Sequence, residues 1–426
     1  MSLYLGLALI LVLAALGMPL FAVVAAVAML GFHLAGYDLI VVTVEIYRLG
    51  DTPGLIAIPL FTLAGYLLGE SGAPRRLVRL SNALLGWLPG GLAIVAIVAC
   101  AFFTAFTGAS GVTIVALGAL LYPALRQAGY DERFSLGLVT SAGSLGLLFA
   151  PSLPLILYGF VAGQMGSVPA VTIPDLFLAG LVPGLLMIVM LSAYAMWVGR
   201  SVPESRHRFE LRELGAALRD AAWELPLPVI VLGGIYSGAL IASEAAAVMA
   251  LYILVLSVCI KKEISYSILT RVMADAMRLV GAILVILGAA LALSNWLVDQ
   301  EVPVRLFEAL NRHVQSPLVF LLLLNLFLLV VGMLLDVFSA IVILTPLLLP
   351  VAAGFGIHPV HLGVVMLANL QLGYFTPPVG MNLFIASYRF GQPLTTLVRA
   401  CVPFFLVLAA AVALITWWPA LSLGLL

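Results

Sequence analysis

The stretch LGYFTPPVGMNLF, residues 372–384, sets two adjacent prolines, a glycine and an asparagine inside a run of membrane-like apolarity. Between Arg312 and Arg389 the only aspartate, glutamate, lysine or arginine is Asp336. Proline removes a backbone donor and clashes with the preceding turn, leaving carbonyls unpaired. In hydrocarbon that is costly unless protein groups or a water-filled cavity satisfy them. A run that interrupts itself here marks a place where freed backbone is put to use.

Around this stretch the composition is equally one-sided. Of 426 residues, 64% are hydrophobic and 9% charged, where a soluble domain is about a quarter charged. Apolar runs near or above the ~20 residues that span a bilayer recur from end to end. The chain therefore reads as an all-α polytopic membrane protein. With 19 basic and 19 acidic residues the net charge is zero, which suggests no nucleic-acid partner. Cys100, Cys259 and Cys401 stand singly in apolar surroundings and read as packing residues. The first thirty residues lack a basic leader and stay apolar too long for a signal peptide, so they read as a retained helix over 3–32. No Walker A loop, HExxH or catalytic triad appears, so the chain reads as neither an ATPase nor another enzyme.

Polar punctuation predicts spans near 3–32, 53–70, 134–163, 173–199, 223–238, 242–260, 279–297, 359–388 and 396–421. Residues 90–126 and 317–350 differ, because each has small or polar residues at its middle, FTGASGVT and LLDVFSA. As single helices they would run about 50 Å, too long for one span. Each is read as a re-entrant helical hairpin whose turn is buried in protein or faces a cavity.

Orientation follows from basic residues. Residues 199–220 carry five arginines, Lys261-Lys262 lie on the same side, and Arg75, Arg76 and Arg79 mark a further loop there. These loops are assigned to the cytoplasm. The N-terminus is then inside and the C-terminus outside, provided that YDLIVVTVEIYR (37–48) lies along the surface.

The chain also repeats itself. Aligning 118–160 with 345–386 sets Pro123 on Pro350, Gly129 on Gly356 and, after a one-residue gap, Gly137 on Gly363, Phe149 on Phe375 and Pro151 on Pro377. Each half thus holds a hairpin and then a proline-broken span, and the span count makes the second copy enter from the opposite face. Inverted repeats with broken helices at the midplane are the architecture of secondary transporters. The division is 1–199 for the first repeat, 200–238 for a cytoplasmic arm and linking helix, and 239–426 for the second repeat.

Candidate site residues follow from these breaks. In FTPPVGMN, carbonyls freed by Pro377 can ligate a cation, and the half-helix beyond presents its positive end to an anion. Thr376 adds a hydroxyl and Asn382 an amide that both donates and accepts. At the first tip, Gly108 and Gly111 permit an unwound turn while Ser110 and Thr113 supply hydroxyls. Gly143 and Ser144, two turns before FAPSLP (149–154), are placed to face the same cavity. Asp336 is read two ways: a carboxylate at bilayer depth handles an ion or lines a pathway, or it caps the second helix of its hairpin. His358 and His361 lack an evident third metal ligand, and Glu244 reads as a helix cap.

With GLIAIPLFTLAGYLL (54–68), FTGASGVTIVALGALLYP (106–123), LLFAPSLPLILYG (147–159), SEAAAVMALY (243–252), LLDVFSAIVILTPLLLP (334–350) and LGYFTPPVGMNLF in order, the chain resembles the large membrane subunit of tripartite ATP-independent periplasmic (TRAP) transporters. The resemblance implies sodium-driven symport of a small organic acid across a bacterial or archaeal inner membrane, with sodium as the coupling ion and no organic cofactor. It implies a small four-helix membrane subunit and a periplasmic substrate-binding protein as partners, and an elevator-type motion. By resemblance, one sodium site lies between Gly108, Ser110, Gly111 and Pro151, Ser152. The other lies between Asp336 and Thr376, Pro377, Gly380, and the substrate touches Thr113, Ser144 and Asn382. The first tip departs from the family in reading Gly-Ala-Ser where many relatives have Gly-Ser-Ser, and the first break reads Ala-Pro-Ser in place of Pro-Pro-Ser. The alternative is a single-component anion transporter of related inverted-repeat fold that works without a binding protein.

Overall fold

The computed structural model describes residues 3–51, 53–200, 202 and 210–426. Arg206 and Arg208, two arginines of the expected basic loop, lie outside the described residues. Among the described residues all regular structure is helical. Six helices among the described residues are long and apolar enough to cross a bilayer, and up to eight if each of two bent pairs is one span.

Ile173–Gly199, 27 residues long and capped by the Thr172 hydroxyl on Asp175 N–H at 3.2 Å, serves as a ruler. At 1.5 Å per residue it runs about 40 Å, the full depth of a bilayer. Its C-terminal end meets the base of the first hairpin, since a Cβ on Gly199 would lie 2.3 Å from the Gly90 Cα. Its N-terminal end, at Ile173 and Leu176, packs on Gly159. Beside Gly159, the Tyr158 hydroxyl donates to the Pro359 carbonyl at 2.6 Å, just past the base of the second hairpin. There Phe320 and Phe355 stack at 4.4 Å and close that base. The two hairpins therefore open at opposite ends of one span, as an inverted repeat requires.

The first hairpin descends as Gly91–Thr107, turns through Gly108 (φ +63°) and extended Ala109, and returns as Ser110–Ala116 and Gly118–Gln127. The second is Pro317–Leu334, extended Leu335 and Asp336, and Val337–Gly354. Their return arms end alike. Gly129 (φ +90°) and Gly356 (φ +74°) stand at matching left-handed stops. Tyr130 N–H reaches Leu125 O at 3.1 Å and Ile357 N–H reaches Ala352 O at 3.0 Å, the same glycine-based C-cap twice.

After each hairpin comes a broken helix. The second runs Pro359–Gly373 and resumes at Met381–Phe390. The first stops at Ala142, passes a 3₁₀ turn at Leu145–Leu148, and resumes at Leu153–Gln164. Its break thus begins earlier than FAPSLP, and Gly143 and Ser144 lie inside it rather than two turns before. Close approach explains this, for a Cβ on Gly146 would sit 2.3 Å from both Ala101 O and Ala105 N on the first hairpin.

Three expected spans need correction. Residues 3–32 are two helices, Leu3–Ala15 and Leu20–Leu34, because Gly17 (φ +97°) and Pro19 end the first and start the second. Residues 223–238 hold only Pro226–Tyr236, about 16 Å of helix, half the hydrocarbon thickness. Residues 279–297 belong to a 34-residue helix, Tyr266–Asp299. The segment expected along the surface forms Ile40–Arg48, mostly exposed and held by Val42 against Ala28, Phe32 and Ala292.

Two groups of helices emerge from the packing. Leu20–Leu34, Ala57–Glu70, Ala242–Leu254 and Tyr266–Asp299 pack on one another, and the hairpins and broken helices pack with Ile173–Gly199 and Leu394–Trp417. Tight glycine seams run through the second group. A Cβ on Gly373 would lie 2.3 Å from the Gly332 carbonyl carbon, so only glycine lets these helices touch.

The loops assigned to the cytoplasm do share one face. Arg76 binds both Glu224, at 2.6 Å, and Glu263, while Arg79 binds Glu213 at 2.8 Å and also Asp220. The Arg76 hydrogen bond, followed by the Gly72 N–H, holds the Glu263 carboxyl below its ordinary value of 4.5. A carboxyl depressed by folding adds stability above its unfolded pKa and loses it as pH falls through the folded one. Thermal stability in detergent is therefore expected to drop as the medium is acidified below 4.5, and Glu263→Gln should flatten that part of the profile. An unchanged profile in the variant would remove Glu263 from this role.

Candidate functional site

The second break is stitched shut from three directions by Asn382, which is fully buried. Its Oδ1 accepts from the Ser110 hydroxyl at 2.8 Å, its Nδ2 donates to Thr140 O at 3.3 Å, and its backbone N–H donates to Tyr374 O at 2.8 Å. The first hairpin tip, the first broken helix and the second break thereby share one side chain. Gly111 stands in the same contact, since a Cβ there would meet Ile385 Cδ1 at 2.6 Å.

The second tip is tied to the same break. Val337 N–H donates to the Tyr374 hydroxyl at 2.7 Å, and Gly380 N–H donates to Met333 O at 3.0 Å. Asp336 caps the helix Val337–Gly354: its Oδ1 accepts from Phe338 and Ser339 N–H, both at 3.0 Å, and its Oδ2 from the Ser339 hydroxyl. It is only partly buried, and it also lines a cavity of about 360 Å³ between the two tips. The cap and the pathway position thus coexist in one residue.

That cavity brings Gly108, Ser110 and Gly111 together with Asp336, Ser339 and Tyr374. No lysine or arginine lines it among the described residues. Tyr66, Gly111 and Val112 also line a second cavity of about 700 Å³. This one reaches the arginine-rich face at Glu70, Arg271 and Asp275, where Arg271 pairs with Glu70 at 3.1 Å. Tyr66, Gly111 and Val112 thus form the wall between the space at the tips and a cavity on the side assigned to the cytoplasm.

Other sequence-predicted residues stand behind the walls. Thr113 is buried with its hydroxyl 2.6 Å from that of Thr104, which in turn reaches Gly143 O at 2.9 Å. Ser144 is buried and bonds Ser141 O at 3.3 Å and Gln371 O at 3.4 Å, where the two broken helices cross. Ser152 bonds Leu147 O at 2.5 Å and caps Leu155 N–H at 3.4 Å, while Pro151 is buried near it. Gly108 meets Leu153 beside that break, a Cβ there falling 2.6 Å from Leu153 Cδ1. Thr376 turns back onto Leu372 O at 2.7 Å, Pro377 is exposed, and Gly380 is buried at φ +51°. Glu244 does cap, accepting from Ile241 N–H at 3.0 Å, whereas His361 joins Ser422 and Thr416 O.

Sequence reading missed Thr104, Thr140, Gln371 and Tyr374. Thr104, Thr140 and Gln371 sit within apolar helices and belong to no quoted motif, while Tyr374 lies inside LGYFTPPVGMNLF but stands apart from its prolines and polar residues. The Gln371 Oε1 is a buried oxygen without a hydrogen-bond partner among the described residues. Because Asn382 satisfies groups on three elements, Asn382→Ala leaves the Ser110 hydroxyl and the Thr140 carbonyl stranded. A loss of about 2–4 kcal/mol is expected, read by unfolding in detergent, and wild-type stability would contradict the hub.

The model of the family described as "Tripartite ATP-independent periplasmic transporter, DctM component" matches residues 7–421. The C4-dicarboxylate TRAP transporter large permease protein DctM of Pseudomonas aeruginosa is 35% identical over 384 residues, covering 90% of this chain and 88% of that protein. The isethionate TRAP transporter permease protein DctMQ of Oleidesulfovibrio alaskensis is 36% identical over 376 residues, 88% of this chain but 58% of that longer protein. Among solved structures, the YdaH transporter of Alcanivorax borkumensis, described as having an unusual topology, aligns with a TM-score of 0.60. It covers 90% of this chain and 88% of its own at 16% identity, which speaks to the fold alone.

Proposed function

Since this chain belongs to the DctM component family of TRAP transporters, a family of membrane permeases rather than enzymes, we propose that it is the permease subunit of a sodium-coupled importer of a small organic anion. It works in a bacterial inner membrane with a small membrane subunit and a periplasmic binding protein. Its relatives named for a C4-dicarboxylate and for isethionate support the anion class. The length of the DctMQ relative that this chain leaves unmatched supports a second membrane component.

The observation that carries sodium coupling is the sign of charge between the tips. Asp336 lines that cavity and no lysine or arginine does so among the described residues. Two negative charges about 6 Å apart repel by about 3 kcal/mol at an effective dielectric of about 20. An anion entering alone meets that repulsion, and a cation beside Asp336 removes it. Cation binding is thus an electrostatic precondition for the substrate. Freed backbone at Thr376–Gly380, the Ser110 hydroxyl and the carboxylate of Asp336 are the oxygen donors at hand. In this reading the hairpins and broken helices move together against the group built on Tyr266–Asp299, carrying the cavity across.

The direct test is uptake into proteoliposomes holding this chain and its small partner. Labelled dicarboxylates, sulfonates and zwitterionic acids are supplied with and without a sodium gradient and the cognate binding protein. Uptake that needs both is expected; uptake by this chain alone would favour a single-component transporter.

Asp336→Asn isolates the charge, because asparagine still caps a helix. Stability within about 1 kcal/mol of wild type is expected, with a sodium dependence that is weakened or lost. A sodium response identical to wild type would leave Asp336 as a cap only.

A further inference from the structure

The arginine-rich face sorts its charges in an unusual way. Helix Ala73–Leu85 gathers the carboxylates: Arg76 holds Glu224 and Glu263, and Arg79 holds Glu213 and Asp220. Glu224 is buried, drawn inward by Arg76. Two of the basic neighbours of these acids in the chain, Arg219 and Lys261, take part in none of the four pairs. Lys261 acts on Glu263 only through space, as the weakest influence lowering its carboxyl.

Arg219 and Lys261 instead line one cavity of about 650 Å³, together with Asp220, Trp223, Pro226 and Tyr252. The single carboxylate in that wall among the described residues, Asp220, is already bound by Arg79. The Tyr252 hydroxyl donates to Trp223 O at 2.9 Å and fixes the arm to the span beneath it. What remains is a concavity with two cations that pair with no carboxylate among the described residues and an exposed indole, at the end of a membrane span.

The span itself supplies the other half of a ligand site. Val248, Leu251 and Val255 are exposed on the helix that carries Tyr252, at 40%, 63% and 40%. Their spacing of three and four residues makes a continuous apolar stripe that leads down from the cavity. Basic residues above an apolar stripe at a water–membrane boundary suit a molecule that is anionic at one end and hydrocarbon at the other.

We propose that this cavity holds the headgroup of an anionic phospholipid of the arginine-rich leaflet, with Arg219 and Lys261 on its phosphate and its acyl chains along Val248, Leu251 and Val255. A free phosphate shares the headgroup chemistry, but it leaves the apolar stripe without a purpose. The site is separate from the cavity between the tips and does not depend on which solute, if any, is transported.

The test uses the full chain purified with any co-purifying subunit and exchanged into mixed phosphatidylglycerol and phosphatidylcholine. Retained lipid is counted by native mass spectrometry. Wild type is expected to keep phosphatidylglycerol in preference. Arg219→Gln with Lys261→Gln should lower that preference by about thirtyfold, at about 1 kcal/mol for each basic residue near an anionic surface. Lys262→Gln, one residue away and outside the cavity, should keep it. Both cavity side chains can be neutralised without touching the four ion pairs, so melting of the lipid-free double variant should match wild type. Equal retention of phosphatidylglycerol by the double variant, or equal retention of phosphatidylcholine by wild type, overturns the proposal. Inorganic phosphate stabilising wild type as well as phosphatidylglycerol does would also overturn it, in favour of a free anion.

Discussion

Backbone groups freed inside a bilayer must find partners within the protein, and Asn382 is where this chain meets that demand. A helix that stops at Gly373 and restarts at Met381 leaves donors and acceptors without their helical partners. Asn382 spends its amide on Ser110 and Thr140 and its backbone N–H on Tyr374. Two of those partners lie in the other half of the chain. The break in one repeat is therefore stable only while the tip and broken helix of the other are in place.

Mutual dependence of this kind explains why small residues recur where helices meet. Gly332 on Gly373, Gly90 on Gly199 and Gly146 on Ala101 each bring backbone within reach of backbone. Without a hydrophobic drive between helices in lipid, such close packing supplies the attraction. It also fixes how far each hairpin can enter. The tips stop short of one another, and the space left is the cavity that Asp336 and Ser110 share.

Much of this architecture is legible in the residues. The hairpin turns at Gly108 and Asp336 and the breaks at prolines are backbone punctuation, which leaves its mark in glycine, proline and polar residues. The aligned Gly129 and Gly356 end their arms with the same hydrogen bonds. The turn at Gly17 and Pro19 carried the same kind of mark but was masked by the apolarity around it. The first break proved less legible, because its start at Gly143 depends on contact between Gly146 and a helix some forty residues earlier. Thr104 and Thr140 were invisible for a like reason: a lone threonine in an apolar helix usually bonds its own preceding turn. Here the Thr104 hydroxyl also meets Thr113 and Gly143. Only tertiary structure shows that Thr113 is thereby turned from the cavity.

In the proposed import of an anion, the two cavities place different demands on the substrate. Between the tips, the positive end of Val337–Gly354 is already occupied by the Asp336 carboxylate, so that helix has little dipole left to offer an anion. In the larger cavity, Arg271 and Glu70 pair while remaining 61% and 49% exposed. Exposed pairs of this kind are worth about 0–1 kcal/mol, too little to hold a gate against a permeating ion. That pair therefore gives the larger cavity little power to select. Under the proposed function, discrimination falls to the tips, where burial is deeper and where the charge of Asp336 ties entry of an anion to the cation that accompanies it.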